Sequence, residues 1–83
     1  MENDYIAWIS DPHVIRLNTL VSNAEGRISS QPQIARFGLE AAERIIDEML
    51  LRQGKCRESN TDPCLAAMLY RIERAYSKLP NIH

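Results

Sequence analysis

The first helical pattern of apolar and polar residues covers positions 12–25. Its apolar residues recur every three or four positions, which is the spacing of one helical face. Asp11-Pro12 supplies an N-cap followed by a proline at the first helical position, and Gly26 is typical of the residue just past a helix C-terminus. The sequence therefore predicts a helix over 12–25 with the apolar residues Val14, Leu17, Leu20, Val21 and Ala24 on one face.

The longest pattern covers residues 31–53. Ser30 and Gln33 have the spacing of a capping box, Pro32 suits the first helical turn, and Gly54 suits the end of the helix. Projected at about 100° per residue, the apolar positions cover about half of the circumference. An apolar face this broad predicts a helix that packs against two neighbours. Its members are Ile34, Ala41, Ala42, Ile45, Ile46, Met49 and Leu50.

A third helix is predicted over residues 63–78. Asp62-Pro63 repeats the combination of an N-cap and a first-turn proline, and Pro80 ends the helix. The preceding residues 55–61 are polar and predict a loop. One narrow apolar stripe runs along this helix and consists of Leu65, Met68, Leu69, Ile72, Ala75, Tyr76 and Leu79.

The N-terminal residues leave two interpretations open. Tyr5, Ile6, Trp8 and Ile9 suit either a short helix or an extended arm, and Trp8 is expected to cover one end of the core. No segment alternates between apolar and polar residues, so no strand is predicted. The predicted fold is all-α: a small bundle of three main helices in a single domain of residues 1–83, with a short N-terminal helix as an open addition.

Composition limits the partners and the cellular location that we expect for such a domain. The 83 residues include 10 basic and 11 acidic side chains, which gives no net attraction to nucleic acid or to a membrane surface. The apolar runs are far shorter than the roughly 20 residues of a membrane-spanning helix. The acidic start Met1-Glu2-Asn3-Asp4 is unlike a targeting segment. Cys56 and Cys64 are too few for a disulfide framework, so we expect reduced thiols and a cytoplasmic location.

The sequence contains no motif that indicates catalysis or cofactor binding. Its cysteine and histidine residues lack the short spacings of a metal site. The carboxylates of Glu43 and Asp47 share a helical face with Arg44, which predicts a solvated charged surface. We therefore expect a non-enzymatic protein with no catalytic residue, cofactor or metal.

Residues 17–58 resemble the winged helix-turn-helix pattern of bacterial transcription regulators. In this interpretation the first helix is Val14–Ser22, the second is Gln31–Phe37, and a turn begins at Gly38-Leu39. The recognition helix is then Leu39–Gln53, and Gly54-Lys55 starts a wing. The resemblance implies a DNA-binding regulator, which we keep as the alternative function.

Charge and length favour one continuous helix over this alternative. Between Leu39 and Gln53 the acidic residues outnumber the basic ones by four to two, whereas attraction to phosphates provides most of the non-specific affinity for DNA. The stretch from Ile34 to Gly54 is also short for two helices and a turn. We therefore predict one unbroken helix over residues 31–53. Binding to nucleic acid is possible but disfavoured.

Three large side chains fall outside the predicted apolar stripes: Phe37, Leu51 and Tyr70. Large exposed apolar residues on a chain with a small core indicate an interface. We predict these three as partner-binding residues of a small interaction module that acts as an adaptor, chaperone or regulator. Its partner is another protein or a second copy in a homodimer. The alternative is that the N-terminal segment, with Tyr5 and Trp8, covers the same surface.

Overall fold

The computed structural model describes residues 11–80, which form three helices. Helix α1 spans Pro12–Arg27, α2 spans Pro32–Arg52 and α3 spans Pro63–Lys78. Residues 11–80 contain no strand, so the all-α prediction with three main helices is confirmed. None of these helices is long and apolar enough to cross a membrane. The predicted N-terminal helix or arm, with Trp8, lies outside the described residues.

The two Asp-Pro pairs start helices as predicted. Asp11 Oδ1 accepts a hydrogen bond from the backbone N–H of His13 at 2.8 Å, and Asp62 Oδ1 accepts one from that of Cys64 at 2.9 Å. In each case proline occupies the first turn, where its missing N–H leaves no hydrogen bond unmade. Local chemistry therefore sets where α1 and α3 begin.

The start of α2 differs from the prediction. The capping box of Ser30 and Gln33 is wrong: Gln31 is the N-cap residue, and its side chain makes no capping hydrogen bond. Pro32 occupies the first helical turn and has a fixed φ, so the cap position falls on Gln31 and Ser30 lies one residue too early. The helix starts on the geometry of proline rather than on a side-chain cap.

Glycine ends only one of the two helices for which it was predicted. Gly54 has φ +69°, and the bonds Gly54 N–H to Leu51 O (2.9 Å) and Lys55 N–H to Leu50 O (2.8 Å) form the Schellman motif that ends α2. The predicted end of α1 before Gly26 is wrong. That helix continues through Gly26 to Arg27, because Gly26 does not adopt the left-handed conformation that stops a helix.

The core lies between all three helices. Its largest fully buried side chains come from each of them: Leu17, Val21, Leu39, Ile46, Leu50, Leu65 and Ile72. Helix α2 contacts both α1 and α3, which confirms the prediction that it has two neighbours. Its buried line, however, is rotated from the predicted face. Ala35 and Leu39 are fully buried, whereas Ile34, which we placed on the packed face, is 48% exposed.

Helix α2 is continuous through Gly38, so the turn of a helix-turn-helix motif is not formed. A Cβ at Gly38 would lie 3.4 Å from Ala24 Cβ and 3.5 Å from the Leu20 carbonyl oxygen. Gly38 therefore marks a close approach of α1 to α2 rather than a break in the backbone. Residues 53–62, where the wing was expected, form a loop without strands.

Candidate functional site

The three predicted partner-binding residues are all exposed: Phe37 by 69%, Leu51 by 74% and Tyr70 by 57%. They do not meet in one pocket. Phe37 lines a groove between α1 and α2, Leu51 lies beside the loop that follows α2, and Tyr70 lines a cleft along α3. Phe37 and Leu51 nevertheless share one side of α2.

That shared side is a regular stripe, which we call the outer face of α2. Its members are spaced alternately by three and four residues and lie within an arc of about 100°. The arc is opposite the buried line of Ala35, Leu39 and Ile46, so it points away from the core. The outer face consists of Ile34, Phe37, Ala41, Arg44, Glu48 and Leu51.

The apolar end of the outer face continues into a groove of about 310 Å³. Ile34 and Phe37 form one wall, and Leu20 of α1 contributes to the other. Gly38 and Ala41 also line the groove and leave it open, because neither has a side chain beyond Cβ. Helical periodicity did not predict Ile34 as a member of this surface. The missed signal was the alternative stripe of Ala35, Leu39, Ala42, Ile46 and Leu50, which has equally good helical spacing.

Charged residues of alternating sign lie along the outer face and beside it. Arg36, Glu40, Arg44, Glu48 and Arg52 follow one another at intervals of four residues along α2. Arg36 Nε lies 3.9 Å from Glu40 Oε1, and both side chains are substantially solvent-exposed. An exposed pair of this kind contributes only about 0.3–0.5 kcal/mol to stability, so these charges remain available for contacts with another molecule.

The surroundings of Tyr70 are different in chemistry. The Arg74 guanidinium lies 5.8 Å from the centre of the Tyr70 ring, and Arg71 and Lys78 line the same cleft of about 500 Å³. Arg71 is already engaged: its Nη2 lies 2.6 Å from Glu25 Oε1, and its Nη1 donates to Asn18 Oδ1 at 3.0 Å. Tyr70 therefore belongs to a polar cleft that joins α3 to α1, separate from the outer face.

Arg57 holds the loop between α2 and α3 against α2. Arg57 Nε donates to Asp47 Oδ1 at 2.8 Å, and Arg57 Nη2 donates to Asp47 Oδ2 and Glu43 Oε2, each at 2.9 Å. These bonds, chiefly that to Asp47, raise the pKa of the Arg57 guanidinium. The predicted solvated carboxylates of Glu43 and Asp47 are therefore structural partners of Arg57. No local pattern in the sequence indicates this contact.

Tyr76 lies beside the same carboxylates. It lines a depression of about 360 Å³ with Glu43, Arg57 and Leu69. Burial, reinforced by the negative charge of Glu43, raises the pKa of the Tyr76 hydroxyl. The neutral phenol is thus favoured here, which suits a packing position at the edge of the core.

Cys56 is exposed, Cys64 is half-buried, and both are free thiols. Across residues 11–80, no group of three or more histidine, cysteine or acidic residues has the arrangement of a metal site. Comparison with protein-family models, curated proteins and solved structures found no significant match for this chain. The candidate site is therefore defined by the geometry of the outer face of α2.

Proposed function

We propose that this protein is a small non-enzymatic interaction module that acts as an adaptor, chaperone or regulator. The outer face of α2 is its binding surface. The observation that carries the proposal is the alignment of Ile34, Phe37 and Leu51, three large apolar side chains exposed by 48–74%, on one side of one helix.

Alignment on one side of a single helix distinguishes these side chains from ordinary exposed apolar residues. Single exposed apolar residues are normal on any protein, whereas aligned ones with a charged border are typical of a helix that binds a partner. The described residues include five large exposed apolar side chains, and the outer face holds three of them. The other two, Ile15 and Tyr70, lie on different helices.

The free thiols support a cytoplasmic setting for the proposed module. Cys56 and Cys64 are free, which is the state that a reducing compartment maintains. The proposal therefore places the module in the cytoplasm, where its partner is another protein or a second copy of itself.

Site-specific photo-crosslinking in cells tests the proposal. A photoreactive amino acid replaces Phe37 in one variant and Ile15 in a matched control, because Ile15 is also a large side chain, 52% exposed, but lies on α1 outside the groove. We expect position 37 to form a crosslink to a second polypeptide chain. Position 15 should form none, and Ile34→Glu should abolish the crosslink from position 37.

Two results would contradict the proposal. Equal crosslinking from positions 37 and 15 would indicate random collisions. Crosslinking from position 37 only to residues 1–10 of the same chain would mean that the N-terminal segment covers the surface.

A further inference from the structure

The outer face of α2 is complementary to the same face of a second copy when the two helices run antiparallel. Its two ends are apolar, with Ile34 near the start of α2 and Leu51 near the end, about 26 Å apart along the axis at 1.5 Å per residue. The middle carries Ala41, Arg44 and Glu48. We propose that the occupant of this face is a second copy of the chain, with the two α2 helices packed antiparallel about a two-fold axis.

This inference rests on the proposed function and names the partner. A two-fold interface uses the same surface of both subunits, so each residue at one end meets a residue at the other end. The register that pairs Ile34 with Leu51 of the second copy also pairs Ala41 with Arg44. It also places the Phe37 ring of the second copy at the level of Glu48, about 4.5 Å along the axis from Leu51.

Charge decides the direction of the two helices. In the antiparallel register Glu40 faces Arg44 of the second copy, and Arg36 faces Glu48. Both contacts are attractive, and symmetry makes each of them twice. A parallel arrangement in register would place Arg44 against Arg44 and Glu48 against Glu48 along the seam, which is repulsive. Charges that flank a helical seam set orientation in this way.

Arg44 and Glu48 can make these contacts because neither forms an ion pair within residues 11–80. Asp47 and Glu43, by contrast, are held by Arg57 on the neighbouring side of α2. The Arg57 contacts therefore leave Arg44 and Glu48 to a partner.

Mixing two charge variants tests the contact between Glu40 and Arg44. Arg44→Glu alone places two acidic residues against each other in both symmetry-related contacts, and Glu40→Arg alone places two basic residues against each other there. We expect each purified variant to dimerise at least about tenfold more weakly than the wild type. An equimolar mixture restores two attractive contacts and should form the heterodimer at close to wild-type affinity, as measured by native mass spectrometry. Circular dichroism of each variant checks that its helices are retained.

Cysteine crosslinking tests the register and the direction. In a background with Cys56→Ser and Cys64→Ser, Ile34→Cys and Leu51→Cys are prepared as separate variants. Oxidation of their mixture should give a disulfide-linked heterodimer, whereas either variant alone should give little. Efficient self-crosslinking of Ile34→Cys alone would overturn the antiparallel arrangement.

Sedimentation equilibrium of the wild type separates this inference from the proposed function. A concentration-dependent rise above 9.5 kDa is expected. A single 9.5 kDa species over a hundredfold range of concentration would exclude the second copy as the partner. If position 37 still crosslinked to a different protein, the interaction module would stand and only the homodimer would be rejected.

Discussion

At the scale of single residues, hydrogen bonds from two arginine side chains connect elements at the surface, outside the apolar core. Arg57 joins the second loop to α2, and Arg71 joins α3 to α1 through Glu25 and Asn18. Each arginine makes several hydrogen bonds with a fixed planar group, which gives a more definite geometry than a single surface ion pair. These contacts orient the loop and α3 around the core.

Tyr76 provides a prediction about pH. Its pKa is raised in the folded protein from an ordinary value of 10.0, so the unfolded chain loses the phenolic proton first as the pH rises. The stabilisation is complete below about pH 10 and is lost as the pH rises further. With allowance for partial exposure, the free energy of unfolding should fall by about 1 kcal/mol between about pH 9 and pH 11. Urea unfolding at each pH measures this fall.

Tyr76→Phe is the control, because it keeps the ring and removes the ionisable hydroxyl. Its free energy of unfolding should fall less than that of the wild type over the same range. An equally steep fall in both proteins would assign the effect to other groups, such as the lysines.

At the scale of the helices, one glycine within α2 and one just after it have opposite roles. Gly38 lies inside the helix, where a Cβ meets its nearest neighbours at 3.4–3.5 Å, and Gly54 holds the left-handed conformation that ends it. The first is a helical position that tolerates a methyl group, and the second is one that favours glycine. Alanine substitution at the two sites distinguishes these roles.

We expect Gly38→Ala to stabilise the protein by about 0.5 kcal/mol, since alanine is the better helix former and the contact with α1 is tight but open. Gly54→Ala should destabilise it by about 1 kcal/mol, because a side chain is strained at positive φ. Thermal unfolding gives both signs. Destabilisation by Gly38→Ala would mean that α1 approaches Gly38 too closely to accept a methyl group.

The rotation of α2 about its axis supplies a second prediction at this scale. Leu39 is fully buried, so Leu39→Ala should lower the free energy of unfolding by about 2–5 kcal/mol through the lost contacts and the cavity. Ile34→Ala should change it by about 0.5 kcal/mol or less in the monomer, because Ile34 is 48% exposed. Chemical denaturation at low protein concentration compares the two. A larger loss of stability for Ile34→Ala than for Leu39→Ala would mean that α2 buries the face predicted from the sequence.

At the scale of the whole molecule, charge is divided between the α2 surface and the α3 cleft. Helix α2 carries four acidic and three basic residues, whereas the cleft along α3 carries Arg71, Arg74 and Lys78 beside Glu25. The full chain has a net charge of −1. This distribution favours contacts with proteins of mixed charge over contacts with a uniform anionic polymer.

Binding to duplex DNA should therefore be weak. We expect a Kd no lower than about 10⁻⁴–10⁻⁶ M at physiological salt, the non-specific range, and no dependence on base sequence. Gel-shift titration with unrelated duplexes measures both. A footprint, or a sequence-dependent shift at nanomolar protein, would favour the DNA-binding regulator over the interaction module.

The sequence by itself determined the helices and most of their ends. Asp11-Pro12, Asp62-Pro63 and Gly54 act through hydrogen bonds and dihedral angles within a few residues, so their effect is readable without knowledge of the fold. The exposure of Phe37, Leu51 and Tyr70 also followed from helical periodicity. These are short-range properties of the chain.

Only the tertiary structure decided which side of α2 faces the core. Two stripes of apolar residues compete on that helix, and the line through Leu39 is buried because Gly38 lets α1 approach at its edge while α3 packs beside it. This choice exposes Ile34 next to Phe37 and separates both from Tyr70. Likewise, Arg57 reaches Glu43 across 14 residues of sequence. Contacts between distant residues depend on how helices pack, which periodicity along one helix does not specify.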